Sequence, residues 1–444
     1  MSPMDKLTYR DVNEIVLRGM KSPRKVYYLF LLLSFLGICL GWACWGYQVH
    51  VGLRAAGMNH PVMWGTYLIN FVFWIEIGHA GSLMSALLYL CKAGWRSPIA
   101  RTAEAMTVFS VAIAGLMPFV HLGRVWLWFW LLPYPNQRDL WPNFQSPLIF
   151  DFWAASGYLT LSLLFWYTGV YPDLAVARDH STGLRRKLYK LLSFGWRSNQ
   201  RQWHAFHSSY ILFAALTVAF VPCVASIVSW DFALTIVPGY HSTIWGPYFL
   251  VGALHSGLAM LLTLIVPLRR IYKLERIITP SVLENIAKIL IATAFLMLYD
   301  YLVEYFMAWY GGDPTERTTF LIRAIGPYAS IFWFVVATDI VLPFLFAFKS
   351  VRTNILLLFV ISIVMNIGMW LERFVIIIGP PAHDWIPYDW GLYWPSLIEW
   401  GILAGTFGLF FFLFLVYSKL APTISISETK ENLPPPGELA EESK

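Results

Sequence analysis

The chain has 444 residues, of which 58% are hydrophobic and only 13% charged, and its mean hydropathy is +0.57. That is more apolar surface than a soluble domain of this length could bury, which excludes the soluble enzyme classes and points to a membrane protein. The net charge of +6 reflects the placement of basic residues in loops, so no nucleic-acid partner is expected.

A charged segment, 1–26, leads into an apolar stretch too long for a signal-peptide core, so no cleavable signal is expected. Transmembrane helices take about 20 mostly apolar residues each. On that measure the chain reads as an all-α polytopic membrane protein with ten spans, at roughly 27–48, 62–90, 99–130, 148–170, 208–230, 243–267, 283–310, 321–347, 354–378 and 392–418. The expected organisation is an N-terminal segment 1–26, a transmembrane domain 27–418 and a tail 419–444. That tail ends in ENLPPPGELAEESK and is expected to be disordered.

Segment 1–26 and the loops 92–101, 171–207, 268–282 and 348–353 hold twenty-two Lys and Arg, whereas the alternate loops hold only Arg54, Arg138 and Arg317. The positive-inside rule then places both termini in the cytoplasm. Cys39, Cys44, Cys91 and Cys223 are scattered through the apolar spans without a CxxC pair, so the chain itself is expected to hold no iron–sulfur cluster.

An offset of 180 residues aligns SPLIFDFW (146–153) with GPYASIFW (326–333), matching Pro147, Phe152 and Trp153 to Pro327, Phe332 and Trp333. The same offset sets 119–130 against 299–310, and an offset of 176 sets HAG (79–81) against HSG (255–257). Spans 2–5 (about 62–230) and 6–9 (about 243–378) therefore read as two copies of one four-helix bundle, flanked by spans 1 and 10. Four helices separate the copies, so they share one orientation, unlike the inverted repeats common in secondary transporters.

Ionisable groups at membrane depth are costly and tend to face a bundle interior or a hydrated path. Span 2 carries Glu76 and His79, which a three-residue spacing places on one helix face. A carboxylate and an imidazole so placed can relay protons. Span 3 has His121 and Arg124 near its outer end, and span 4 has Asp151 within about a turn of its outer start. Further along lie His255 in span 6, Asp300 and Glu304 in span 7, Asp339 in span 8, and Glu372 beside Arg373 in span 9. A lone His255 or Asp339 could equally hydrogen-bond a neighbouring helix, and Arg124 and Arg373 could snorkel to the outer boundary. Most of the Trp and Tyr residues suit an interfacial aromatic belt.

The Pro-rich loop 131–147, including Pro133 and Tyr134, joins His121 to Asp151 and is expected to be ordered. Two polar groups at similar depth on adjacent helices, roofed by such a loop, suit a quinol headgroup. Asp can accept one hydroxyl proton while His orients the other hydroxyl.

The runs GHAGSL and DVNEIVLRGMKSPRKVYYLF, and above all the stretch 104–153, resemble the polysulfide-reductase-type membrane subunits of the NrfD/PsrC family. Within it they are most similar to the quinol-binding subunit, ActC, of bacterial alternative complex III. The resemblance covers all ten spans and leaves out the tail. It implies two four-helix bundles and an integral subunit of a bacterial cytoplasmic membrane that oxidises menaquinol or ubiquinol near the outer face. Electrons would pass to an iron–sulfur subunit docked there and on to c-type haem subunits, beside a homologous NrfD-like membrane subunit. By the same resemblance the quinol site falls on His121 and Asp151, with Arg124, Pro133 and Tyr134 nearby. The proton path falls on Glu76, His79, His255, Asp300, Glu304 and Asp339, with Glu372 and Arg373 adjoining. In the second copy Tyr301 stands in place of His121 and Ile331 in place of Asp151, so one quinol site per chain is expected. Neither haem nor an iron–sulfur cluster is expected in this chain.

Two other classes remain open on sequence. A di-haem cytochrome b anchor would need facing His pairs, for which His79 with His255 is the deep candidate. A proton-coupled transporter would use the same buried carboxylates.

Overall fold

The fold is taken from a computed structural model and covers residues 7–21, 25–131, 147–240 and 244–433. All regular structure among these residues is helical. An amphipathic α1 (Tyr9–Lys21) precedes the long apolar α2 (Lys25–Val51), and α3 (Thr66–Leu90) returns antiparallel to it. Next come α4 (Ala100–Ala114) and its one-turn continuation α5 (Met117–His121), then α6 (Pro147–Asp179), the short basic α7 (Gly183–Leu192) and α8 (Gln200–Ala233). The second half contains α9 (Trp245–Ile271), α10 (Pro280–Tyr310), α11 (Pro314–Ile325), α12 (Ala329–Val335), α13 (Lys349–Arg352) and α14 (Ile355–Ala382). The chain closes with α15 (Leu397–Leu420) and the single turn α16 (Ile426–Glu431).

Nine helices among the described residues are long and apolar enough to cross a membrane. The stretch read as span 4 lies in α6, whose 33 residues would extend about 50 Å. The expected count of ten rests on this helix.

Two expected spans are cut by local chemistry. The stretch 321–347 is not one helix: α11 ends at Gly326, whose backbone is extended (ψ −162°), because the residue before Pro327 disfavours the helical region. Beyond α12 the chain widens into a π-type turn, Val336–Val341, and then tightens into a 3₁₀ stretch, Leu342–Ala347. Pro343 explains the widening, since it has no N–H for the carbonyl of Asp339 four residues back. Span 3, read as 99–130, ends as an α-helix at His121, and the left-handed Gly123 (φ 67°) turns the chain into a 3₁₀ stretch, Val125–Leu131.

The helices pack as two groups of four, α3, α4/α5, α6 and α8 against α9, α10, α12 with its π turn, and α14. The groups meet chiefly along α3 and α9. There Gly257 lies so close to α3 that a Cβ would stand 2.2 Å from the Cβ of Ala80. Outside them, α2 pairs with α15 along a seam of small residues, with Gly41 facing Gly405 and Gly37 facing Gly408. A Cβ on Gly41 would sit 2.6 Å from the Gly405 Cα, so the two backbones touch, as in small-xxx-small membrane pairs. Gly41→Leu should therefore cost about 1–3 kcal/mol through overpacking, read as a lowered thermal unfolding midpoint of the detergent-solubilised protein. An unchanged midpoint would show that α2 is not held by this seam.

The tail departs from the disordered segment expected. Residues 421–433 fold back beneath the first group, and Ser425, Ile426, Glu428 and Thr429 are buried. Asp173 draws them in, its Oδ1 accepting from the backbone N–H groups of Ile426 (3.1 Å) and Ser427 (2.9 Å). The reading of disorder for 434–444 lies outside the described residues. At the same face Lys419 donates to the Gly19 carbonyl at 2.6 Å, so α1 and α16 mark one face of the molecule, called here the termini face.

Candidate functional site

At the far face, opposite the termini, His121 is carried by the one-turn α5, which restarts the helix through Pro118 after the break at Gly115. Gln48 on α2 holds it in place by donating to the Val120 carbonyl at 2.9 Å and accepting from the Tyr67 hydroxyl. The Tyr67 ring stands edge-on to the His121 ring at 6.2 Å, and the imidazole Nδ1 has no protein partner. Across the same end of the group, Asp151 in the first turns of α6 is buried, and its Oδ1 has no donor. Its neighbour is Asp231, near the end of α8. The two carboxyl groups lie side by side, and neither Asp231 oxygen has a donor; a hydrogen bond between them would need a proton on one. Beside Asp231 the rings of Phe232, Trp64, Tyr240 and Trp245 form an apolar wall, with Phe232 5.6 Å from Trp64 and 5.4 Å from Trp245. No bond joins His121 to Asp151 among the described residues. Arg124 is exposed in the turn after α5, and Pro133 and Tyr134 lie outside the described residues.

The interior charges are arranged differently from the sequence reading. Glu76 does not pair with His79. Its Oε2 instead accepts from the Arg373 Nε at 2.7 Å, across the boundary between the two helix groups. Arg373 is therefore no snorkelling cation, since it is fully buried and also reaches Glu372 at 3.1 Å. Gly252 on α9 makes room for it, because a Cβ there would lie 2.2 Å from a guanidinium nitrogen. Glu372 in turn accepts hydroxyl bonds from Tyr248 and, at 3.2 Å, from Tyr301. Three residues apart on a helix leaves about 60° between side chains, enough to aim Glu76 at α14 and His79 at α6. His79 stands 5.0 Å from the Tyr158 ring, with neither ring nitrogen bonded to protein.

In the second group, His255 Nδ1 bonds the Thr293 hydroxyl at 2.8 Å, and Glu304 pairs with Arg323 of α11 at 3.0 Å. Asp300 is buried with its Oδ2 unpartnered. Asp339 sits in the π turn against Gly368, where a Cβ would lie 2.5 Å from its Oδ1, and neither carboxyl oxygen has a donor. All these groups are buried, and together they leave many polar atoms without protein partners, as sites for bound water do.

Several participants escaped the sequence reading. Asp231 lies one residue past the boundary drawn for span 5. Its signal was its depth, at the outer end of the helix antiparallel to the one bearing Asp151. Arg323 and Tyr248 complete the second group's charge pairs. At the termini face Arg96 and Arg101, counted as loop cations, are buried against Glu104, Asp173, Tyr210 and Glu428. The spacing of Arg101 and Glu104, three residues apart, was the available clue.

A family model described as polysulphide reductase, NrfD, matches residues 54–381. That match runs continuously through Glu76, His121, Asp151, Asp231 and Arg373. A candidate membrane subunit of a dimethyl sulfoxide reductase from Halobacterium salinarum is 26% identical over 231 residues, which make up 51% of this chain and 48% of that protein. The chain thus spans about half the length of the curated relative it matches.

Proposed function

The chain belongs to the NrfD polysulphide reductase family, and on that premise we propose that it is the quinol-oxidising membrane subunit of a respiratory oxidoreductase, most like the ActC protein of alternative complex III. The observation that carries this reading is the buried Asp151–Asp231 carboxyl pair, walled by aromatic rings and set on the same helix group and face as His121, whose Nδ1 has no protein partner. A quinol gives up two protons with its two electrons, so its site needs a proton acceptor within bonding reach and an apolar surround for ring and tail. Asp151 accepts the proton, Asp231 shares it, and His121 orients the second hydroxyl. Arg124 contributes to the headgroup's surroundings, and Pro133 and Tyr134 are assigned to the same site.

The bonded pairs Glu76–Arg373–Glu372 and Glu304–Arg323, with His79, His255, Asp300 and Asp339, form the proton-conducting interior. Support for that role comes from their burial, their unpartnered atoms and the π turn at Asp339, a distortion often found at functional sites. The partners are an iron–sulfur subunit on the far face, c-type haem subunits and a homologous membrane subunit. The protein resides in a bacterial cytoplasmic membrane with the termini face cytoplasmic, in keeping with the basic loops. A second reading keeps the quinol site and changes the acceptor: the similarity to a dimethyl sulfoxide reductase protein favours a partner that reduces a small oxidised substrate.

Purification of the native complex, with its subunits identified and quinol oxidation followed against cytochrome c and against dimethyl sulfoxide, tests both. Turnover with cytochrome c and haem subunits present is the expected result. Turnover with dimethyl sulfoxide alone would favour the second reading, and no quinol oxidation with either would remove the proposal.

A further inference from the structure

At the termini face, beneath the first helix group, a cavity of about 320 Å³ opens between the end of α3, the 92–97 loop and the folded tail. Arg96, Glu428, Glu431 and Asn432 line it. Behind it is a buried ionic cluster. Glu428 bonds Arg96, and bonds Arg101 at 3.0 Å; Arg101 also meets Glu104 at 2.8 Å and Asp173 at 3.2 Å, and Arg96 meets Glu104 at 3.1 Å. Three carboxylates thus face two guanidinium groups, and one added proton brings the cluster to neutrality. Among the three, Glu428 is the one that lines the cavity, with its side chain 10% exposed against 1% for Glu104 and for Asp173.

From the cluster, polar side chains continue inward. Ser85 donates to Glu104 at 2.7 Å, and the Tyr210 hydroxyl donates to the same oxygen at 2.6 Å. One turn deeper on α3, Ser82 meets the Tyr158 hydroxyl at 2.6 Å, and the Tyr158 ring adjoins His79. We propose that Glu428, supplied by the C-terminal segment, is the proton-loading site of the first helix group, taking protons from water in the termini-face cavity and feeding the path that leads to His79. The inference rests on the reading of a proton-conducting interior with that face cytoplasmic. In each cycle a hydronium ion in the cavity gives its proton to the Glu428 carboxylate, leaving water and a neutral carboxyl. Passing that proton inward restores the carboxylate between Arg96 and Arg101.

Every charged or titratable group packed around Glu428 bears on this step. Arg96 and Arg101 hold the carboxylate, and Tyr89 and Tyr210 stack against Arg96 at 4.9 and 5.4 Å. Lys92 lies at the cavity rim. On α16 itself, burial pushes the Glu431 carboxyl above its ordinary range and lowers the Lys430 ammonium, and His207 on α8 stands 3.6 Å from Glu431.

The test is proton uptake per electron, followed with a pH dye on the termini-face side while the intact complex, in proteoliposomes, oxidises quinol. Glu428→Gln, whose amide cannot take up a proton, should abolish most of that uptake, and Glu428→Asp should restore most of it. Thr102→Val, which removes the bond from the Thr102 hydroxyl to the Thr423 carbonyl (3.0 Å) and so loosens the docked tail without touching the ionic cluster, should leave the ratio near wild type. A wild-type ratio in Glu428→Gln overturns the assignment while leaving proton conduction standing. An equal loss in Thr102→Val with no rescue by Glu428→Asp also overturns it, because docking of the segment would then be the whole effect. If the wild-type complex takes up no protons from this side, the conducting interior itself is refuted and this site falls with it.

Discussion

Asp151→Asn should lower quinol-dependent turnover of the assembled complex by at least about tenfold, since general-base assistance is worth about 10²- to 10⁴-fold. The asparagine keeps the shape of the side chain but cannot take the proton that the quinol hydroxyl must lose. Asp231 stands beside Asp151, so Asp231→Asn should also slow turnover, and the double variant should fall below either single one. His121→Ala should weaken the binding of quinol-site inhibitors as well as turnover. Tyr301→Phe, which alters the position corresponding to His121 in the second helix group, removes one bond to Glu372 and should change quinol kinetics far less. Assembled Asp151→Asn complex turning over at the wild-type rate would show that the headgroup binds elsewhere.

Arg373→Ala should have the largest effect on stability. It leaves Glu76 and Glu372 buried side by side with no cation, and removal of one partner from a buried ion pair costs about 3–5 kcal/mol. The protein should accumulate poorly and unfold at a much lower temperature in detergent. Adding Glu76→Gln and Glu372→Gln removes the stranded charges and should recover a large part of the loss. That recovery separates an electrostatic defect from the cavity left by the missing side chain. A singly substituted Arg373→Ala protein as stable as wild type would mean that the carboxylates do not depend on this guanidinium.

The helical architecture was legible because apolar length is a property of the sequence itself. The two helix groups fall within the stretches read as spans 2–5 and 6–9, with α2 and α15 packed against each other outside them. Boundaries were less legible where one residue decides them, as at Gly326 before Pro327 and at Gly123. Glu76, His79, Arg373 and Glu372 were all identified as buried ionisable groups, yet their pairing was not. Spacing along one helix reports which residues share a side, whereas Glu76 and Arg373 are 297 residues apart in sequence and meet only through tertiary packing. Asp231 and Glu428 were passed over for a related reason. Each lies just outside an apolar stretch, where a carboxylate in sequence looks like an ordinary loop or tail residue. In the fold Glu428 is covered because the buried Asp173 draws the polar tail inward.

The separation of Glu76 from Arg373 also sets a timetable for biogenesis. At about 5–20 residues per second, the ribosome takes about 15 to 60 s to pass from one to the other. Throughout that interval α3 has been made and its cation has not. The nascent first half must therefore hold the acidic side chain of Glu76 in some provisional state, neutralised by a proton, turned to a water-filled insertion channel or sheltered by a chaperone, until α14 arrives.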